Sequence, residues 1–306
     1  MGKLMSRIVV IILLISLLFP MNSFSGDAGK TGLSFLKIDV DSRAAAMAGA
    51  YTAIASGAAA SYWNPAGLAS ASGRNVILMH QIWIDDITHE YGAVQFASGK
   101  HNLAVSANLM LFPGIEIREQ ATEDPDGISD AVNFCAALSY AQNLNENWQA
   151  GISVKYISEK YYLEQASGWA VDAGIRRLNL IHKVDWGFVI QNLGKMNALK
   201  EVETDLPLIV RSGLVYHLPF EVFAGGHLLS ADLQYVKDEQ LYIRSGSQWN
   251  LTDYFNLRAG LNWYSDKIHF STGMGFLYKS FNLDYAFIPL IDHLENSHQF
   301  SVGFSF

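Results

Sequence analysis

The chain has 306 residues, of which half are hydrophobic and only 16% are charged. Its net charge of −8 and the lack of any long Lys/Arg run remove the electrostatic basis for nucleic-acid binding. The single cysteine, Cys135, cannot form an internal disulfide, and a small buried side chain is its simplest interpretation. The composition is that of a folded protein rather than a disordered one.

Residues 1–25 have the pattern of a secretory signal peptide. Lys3 and Arg7 precede an apolar run over residues 8–19, and Pro20 ends this run. The run is shorter than the roughly 20 residues that a spanning helix needs, and small residues follow it around Ser25. We therefore expect export with cleavage near Ser25, rather than a membrane anchor.

Residues 26–74 contain the stretch RAAAMAGAYTAIASGAAASYWNPAGLA, which is rich in Ala and Gly and almost uncharged. Its Ala and Met residues favour helix, whereas Pro65 and Gly67 end any helix. Small side chains suit a confined space, and the aromatic residues argue against disorder. We expect residues 26–74 to form a small helical plug inside the rest of the fold; a surface lid is the alternative.

From residue 75 onward, apolar and polar side chains alternate, which predicts β-strands with one apolar and one polar face. In HQFSVGFSF, for example, Phe300, Val302 and Phe304 take one face and Ser301 takes the other. About fourteen such segments follow one another, near residues 76–83, 90–98, 102–112, 130–143, 148–159, 167–178, 183–192, 207–217, 223–236, 240–250, 255–264, 267–277, 281–289 and 297–306.

The lengths of these segments favour a membrane barrel. Most have about 9–11 residues, as a tilted membrane strand requires, whereas strands of soluble proteins most often have about five or six. Short turns near 98–100, 143–147, 218–219 and 278–280 alternate with longer links near 113–129, 160–166, 193–206 and 290–296. We predict an all-β membrane protein, in which residues 75–306 form an antiparallel outer-membrane β-barrel of about 14 strands.

Charged residues fall on the polar phase of the predicted strands. In a barrel this phase faces the lumen, whereas in a soluble sandwich it would face water. The candidate lumen charges include Asp172, Arg176, Arg211, Arg244 and Arg258. Arg211, Arg244 and Arg258 are candidates to donate hydrogen bonds to backbone carbonyls of the plug.

The small-residue stretch resembles the N-terminal hallmark of the PorV/PorQ family, part of the FadL-like outer-membrane barrels. The family pattern is a small-residue helix followed by aromatic-Asn-Pro-Ala-Gly. The matching plug motif here is Arg43, Tyr62, Trp63, Asn64, Pro65 and Gly67. The resemblance extends over nearly the whole chain, and it implies a fourteen-stranded barrel with an N-terminal plug in the outer membrane.

The resemblance implies two functions. PorV and PorQ members act with the type IX secretion system, which predicts secretion components or secreted cargo as partners, besides outer-membrane lipid. FadL-like members carry long-chain fatty acids or other hydrophobic compounds, and in them a kink in the third strand opens the barrel wall. Pro113 and Gly114 end the predicted third strand, so they are candidates for such a kink; an ordinary loop start is the alternative. We expect the first function and keep the second as the alternative.

No catalytic pattern accompanies these features. The chain has no G-x-S-x-G motif, and its DHLENSH segment, with Asp292, His293, Glu295 and His298, matches no common metal-ligand spacing. We therefore expect no enzyme activity, no metal and no cofactor.

Overall fold

The computed structural model describes residues 32–118, 120–121, 123–200, 204–219, 225–264, 267–290 and 295–306. The expected signal peptide therefore lies outside the described residues. Fourteen strands form most of the described chain: β1 Arg74–Ile82, β2 Thr88–Ser98, β3 His101–Ile117, β4 Gly127–Asn143, β5 Trp148–Tyr161, β6 Glu164–Ile181, β7 Val184–Met196, β8 Ile209–His217, β9 Leu228–Val236, β10 Leu241–Asn250, β11 Phe255–Tyr264, β12 Lys267–Tyr278, β13 Phe281–Ile288 and β14 Ser297–Ser305.

The strands form one closed antiparallel barrel. Each strand pairs with its sequence neighbours, and β1 closes the barrel against β14, with Asn75 opposite Ser305 and Ile82 opposite His298. Closure gives every strand a hydrogen-bonded neighbour on both sides, which is the condition that a lipid environment imposes on strands. The predicted fold class and strand number are confirmed.

The two faces of the barrel wall follow the alternation in the sequence. On β14, Phe300, Val302 and Phe304 are exposed on the outer surface, while Gln299 and Ser301 are fully buried on the inner one. The same division holds on β11, where Leu257 and Leu261 point outward and Arg258 points into the barrel. Apolar side chains therefore cover the outside, and polar and charged ones line the lumen.

Four consecutive strands are longer than the sequence predicts. β3, β4, β5 and β6 have 17, 17, 14 and 18 residues, whereas β8 to β14 have between 8 and 12. β2 ends where Thr88 pairs with Leu111, yet β3 continues to Ile117. The end of the β3–β6 sheet that carries Ile117 and Tyr161 thus projects beyond its neighbours, and we call β3–β6 the raised wall.

The barrel has a terminal end, where Arg74 and Phe306 exchange backbone hydrogen bonds, and an opposite loop end. Two predicted connections are wrong in length: the link near 160–166 is only the turn at Tyr162 and Leu163, and the turn near 218–219 is a longer connection between His217 and Leu228. The pairing of β5 with β6 continues to Tyr161 opposite Glu164, so the two strands extend to a tight turn. Most terminal-end connections are short, and short turns mark the periplasmic side of such barrels.

The N-terminal segment adds only short helices. These are a 3₁₀-helix Ser34–Lys37, an α-helix Ser42–Ala46, a 3₁₀-helix Gly57–Ala59, an α-helix Ala60–Trp63 and a 3₁₀-helix Pro65–Ser70. Within the described part of the chain, none of the helices has the length and apolarity to cross a membrane.

Candidate functional site: a plugged lumen

The N-terminal segment occupies the inside of the barrel. Its described part starts at the loop end, where Leu33, Phe35 and Leu36 pack with Met110 and Ile157 of the wall. It then runs along the lumen and joins β1 at the terminal end. Because this segment lies in the interior, its residues and the inner wall form the hydrophobic and polar core of the protein.

Tyr62 and Trp63 hold the incoming part of the segment by hydrogen bonds to its backbone. The Tyr62 hydroxyl donates to the carbonyl of Ile38 at 2.6 Å, and the Trp63 indole Nε1 donates to the carbonyl of Val40 at 3.0 Å. The two rings meet edge to face, with their centroids 5.4 Å apart. Both side chains are buried, and burial raises the pKa of Tyr62, so its hydroxyl stays protonated as a donor.

Asn64 and Pro65 set the turn of the plug. The backbone of Asn64 is extended, as expected for the residue before a proline. Its side-chain Nδ2 donates to the carbonyls of Thr52 and Ile175, and its Oδ1 accepts from the backbone N–H of Ala66 at 3.1 Å. A single carboxamide therefore ties two parts of the plug to each other and to β6.

Gly67 and Arg43 complete the sequence motif. A Cβ at Gly67 would stand 2.1 Å from the carbonyl oxygen of Ala55, so only glycine fits at this position. Arg43 donates from Nε to Oε1 of Gln248 at 2.9 Å, and its guanidinium lies 5.7 Å from the ring centre of Tyr51. All six motif positions thus lie in the lumen, in contact with the plug or the wall.

The wall charges contact the plug differently from the sequence-based expectation. Arg211 stacks on aromatic rings, 4.7 Å from the centroid of Trp63, and Arg244 forms an ion pair with Asp39 at 2.9 Å. In the described contacts, neither arginine donates a hydrogen bond to a backbone carbonyl of the plug. Arg176 forms such a hydrogen bond: its Nη1 donates to the carbonyl of Ala55 at 3.2 Å.

Arg258 and Asp172 are paired within the wall itself. Arg258 binds Asp284 at 2.5 Å, and Asp172 binds Lys155 at 2.6 Å. All four side chains are buried on the inner face. Buried charges need partners of this kind because an unpaired one would carry the full cost of desolvation. In the described contacts, the partners of Arg258 are Asp284 and Gln248.

Glycines of the wall let the plug backbone lie against it, a feature that our sequence analysis missed. Six inward-facing glycines lie under the plug: Gly151, Gly174, Gly187, Gly246, Gly260 and Gly273. A Cβ at Gly151 would stand 2.3 Å from the carbonyl carbon of Pro65, and one at Gly260 would stand 2.3 Å from that of Met47. The detectable signal was a glycine on the polar phase of several consecutive strands.

Pro113 and Gly114 do not end β3. The pairing of β3 with β4 shifts register between Phe112 and Ile115, which places a β-bulge at these two residues. Gly114 has a φ of 70°, and its N–H donates to a carboxylate oxygen of Asp130 at 3.0 Å. Glycine accommodates this backbone conformation, so the strand continues through the bulge to Ile117.

The remaining candidates stay apart. Cys135 is buried in the apolar cluster around Leu36. Asp292 and His293 lie outside the described residues, and His298 bonds the Tyr285 hydroxyl at 2.8 Å. Among the described residues, no group of three or more His, Cys, Asp or Glu side chains could hold a metal ion.

Solved structures with the same architecture include toluene transporters and a FadL homologue. The Pseudomonas putida toluene transporter TodX has a TM-score of 0.67 at 11% identity, over 86% of this chain and 97% of that chain. A Pseudomonas aeruginosa FadL homologue has a TM-score of 0.61 at 10% identity, over 87% of this chain and 98% of that chain. The Ralstonia pickettii toluene transporter TbuX has a TM-score of 0.58 at 12% identity, over 85% of this chain and 98% of that chain. At such identities the likeness establishes the fold alone.

A closed barrel of fourteen antiparallel strands, apolar outside and occupied by an N-terminal segment, is the fold of an outer-membrane barrel, shared with TodX and the FadL homologue. The family model described as type IX secretion system protein PorV matches residues 25–181, about half of the chain. The chain belongs to this PorV family, which is not a family of enzymes. No curated protein sequence matches it. The resemblance stated from the sequence is confirmed.

Proposed function

We propose that this protein acts in type IX secretion at the outer membrane by binding protein partners, either secretion components or secreted cargo. The observation that carries the proposal is the PorV family match, which spans the plug and β1 to β6. That region includes the whole raised wall, which is the main departure of the barrel from uniform strand length.

The raised wall offers protein-binding chemistry at the loop end. At the tips of its hairpins, Ile128, Tyr162 and Leu163 are exposed, Leu163 to 79% of its full accessible area. Acidic residues surround them on the β3–β4 hairpin, namely Glu116, Glu123, Asp124, Asp126 and Asp130. Exposed apolar side chains with a charged surround are typical of interaction surfaces. We place the partner contact here.

The proposal is tested by site-specific photo-crosslinking in cells. A photoreactive amino acid at Leu163 should capture a protein of the secretion pathway, whereas the same group at Tyr254, which is exposed on the terminal-end turn, should not. Mass spectrometry identifies the captured protein. Capture of lipid alone at both positions, together with unchanged secretion when the gene is deleted, would overturn the proposal.

Transport of a hydrophobic solute is the second candidate, and the bulge at Pro113 and Gly114 favours it. Phe112, next to the bulge, packs on the apolar cluster that contains Leu33 and Phe35. A hydrophobic compound entering the lumen at the loop end would meet this cluster first. Uptake of a labelled fatty acid or of toluene by proteoliposomes measures this activity. Gly114→Val should abolish the uptake, since a β-branched residue does not tolerate the φ of 70°.

We also propose the division of the chain into three parts. Residues 1–25 are removed as a signal peptide, residues 26–74 are the plug and residues 75–306 are the barrel. The burial of the N-terminal segment supports its assignment as a plug. The start of β1 at Arg74 supports the boundary between plug and barrel. N-terminal sequencing of the protein from outer-membrane fractions should begin near Gly26.

A further inference from the structure

The terminal end of the barrel contains a cavity of about 570 Å³ that the plug does not fill. Asp41, Arg43 and Tyr51 of the plug form its inner boundary, and β10 to β14 together with β1 form its walls. We call it the terminal cavity. Small-molecule sites have volumes of about 300–1,000 Å³, so this one has room for a ligand.

Five side-chain carboxamides line the terminal cavity, alongside charged and hydroxyl-bearing side chains. They belong to Asn75, Gln248, Asn250, Asn256 and Asn282. Each carboxamide offers both a donor and an acceptor, and therefore matches ligand groups that also do both. Asn256 is only 2% exposed, and its Oδ1 has no hydrogen-bond partner within the described part of the chain. A buried acceptor without a donor costs free energy that a ligand hydroxyl would recover.

The charges of the terminal cavity balance. Three acidic residues, Asp41, Asp253 and Asp284, face three basic ones, Arg43, Arg258 and Lys279. The two guanidinium groups converge on one carboxamide, because Nε of Arg43 and Nε of Arg258 both donate to Oε1 of Gln248, at 2.9 and 3.1 Å. A ligand with a large net charge of either sign would meet a like charge here, so the site favours a neutral one.

The closed barrel narrows the chemical class further. A bound peptide commonly pairs its backbone with a free sheet edge, and the strands that line the terminal cavity are paired with neighbours on both sides. Planar carboxamide and guanidinium groups remain as the recognition elements, and they can pair with hydroxyl and acetamido groups, which also offer donors and acceptors. We propose that the terminal cavity binds a neutral saccharide from the periplasmic side, with Asn256 Oδ1 accepting a hydrogen bond from a sugar hydroxyl.

The test is equilibrium dialysis of the full-length mature protein in detergent with labelled N,N′-diacetylchitobiose and, separately, maltose. We expect saturable millimolar binding of at least one of them. Asn256→Leu, which keeps the side-chain size but removes the acceptor, should weaken binding about tenfold. Asn197→Leu, which alters an exposed carboxamide at the loop end, should leave it unchanged.

Heat-modifiable migration on a detergent gel shows whether each variant is folded. If Asn256→Leu fails to fold, Asn282→Ala, at a half-buried position of the same cavity, replaces it. Absence of saccharide binding, equal binding by the cavity variant and the wild type, or binding of trialanine instead of the saccharides would each overturn the proposal. Because none of these readouts involves secretion, their failure leaves the proposed function untouched.

Discussion

The guanidinium of Arg211 lies 4.7 Å from the ring centroid of Trp63, and both side chains are almost completely buried. Arg211 belongs to β8 and Trp63 to the plug, so this contact joins the wall to its contents. Arg211 also donates from Nε to Gln234 on β9 at 2.8 Å, which fixes its orientation. A desolvated cation–π contact of this kind stabilises by about 2 kcal/mol.

Arg211→Leu should therefore loosen the plug without preventing barrel formation. Loss of the cation–π contact favours undocking, and the expected readout is a leak current in planar bilayers where the wild type is nearly closed. Ser212→Leu, which alters the neighbouring outward-facing position, is the matched control and should stay closed. Equal currents from both variants would show that the contact does not hold the plug.

Deletion of residues 35–70 tests the plug as a whole. The deletion removes the side chains that fill the lumen but leaves every strand, so the barrel should still insert and remain heat-modifiable. Because the lumen is then open, steady ion conduction is expected. If the deletion variant inserts and yet conducts no more than the wild type, another part of the protein blocks the lumen.

Gly151→Ala tests the glycines under the plug. The added Cβ would stand 2.3 Å from the backbone of Pro65, which cannot move away without displacing the turn of the plug. We expect increased conductance and a lower unfolding temperature. Gly127→Ala is the control, because there the nearest atom to an added Cβ is 3.8 Å away. The glycine hypothesis fails if both alanine variants behave alike.

Plug docking should weaken as the pH rises. Burial, and next the carboxylate of Asp284, raise the pKa of Asp41 from its usual 3.8 to about 6. The docked state thus binds more protons than the undocked state between pH 4 and 6. The free energy of docking therefore becomes less favourable as the pH rises through this window, and it stays less favourable at higher pH. Bilayer conductance should be lower at pH 5 than at pH 7.5.

Asp41→Asn isolates this effect. Asparagine caps a helix as well as aspartate does, so it preserves the bond from the N–H of Arg43 while removing the titration. The variant should be as closed at pH 7.5 as the wild type is at pH 5. If its conductance retains the pH dependence of the wild type, another group is responsible.

Val302→Arg tests the outward face of the barrel. Val302 is exposed on β14, and an arginine near the middle of the bilayer costs about 2–4 kcal/mol. We expect a clear loss of folded, heat-modifiable protein. Ile82→Arg, at the end of β1, should cost less because the penalty falls toward the membrane surface. Equal losses would contradict the assigned depth of these two positions.

The sequence predicts the barrel well because membrane strands carry their own signal. Each of the fourteen alternating segments overlaps a strand, since lipid on one side and a polar lumen on the other impose the period of two. The ends of the strands are less predictable. The extra length of β3 passes through Pro113 and Gly114, which local rules interpret as a strand end, and only pairing with β4 reveals the bulge.

The plug is predictable as a confined segment but not in its contacts. Small residues indicate close packing, and the Asn-Pro pair indicates a turn. Which wall residue meets which plug atom depends on the register around the whole barrel. The contacts of Arg176 with Ala55 and of Arg244 with Asp39 therefore follow from closure of the sheet, which no local pattern contains.

The direction of the plug also constrains how the protein assembles. The segment enters the lumen at the loop end and leaves it at the terminal end, directly into β1, the strand that closes the barrel against β14. Ser42 already bonds Ser301 of that closing strand, at 2.8 Å from its backbone N–H. Once the seam between β1 and β14 is made, the barrel wall surrounds the segment. Docking of the segment therefore holds β14 near β1, and weak docking should appear as slower barrel closure as well as a leak.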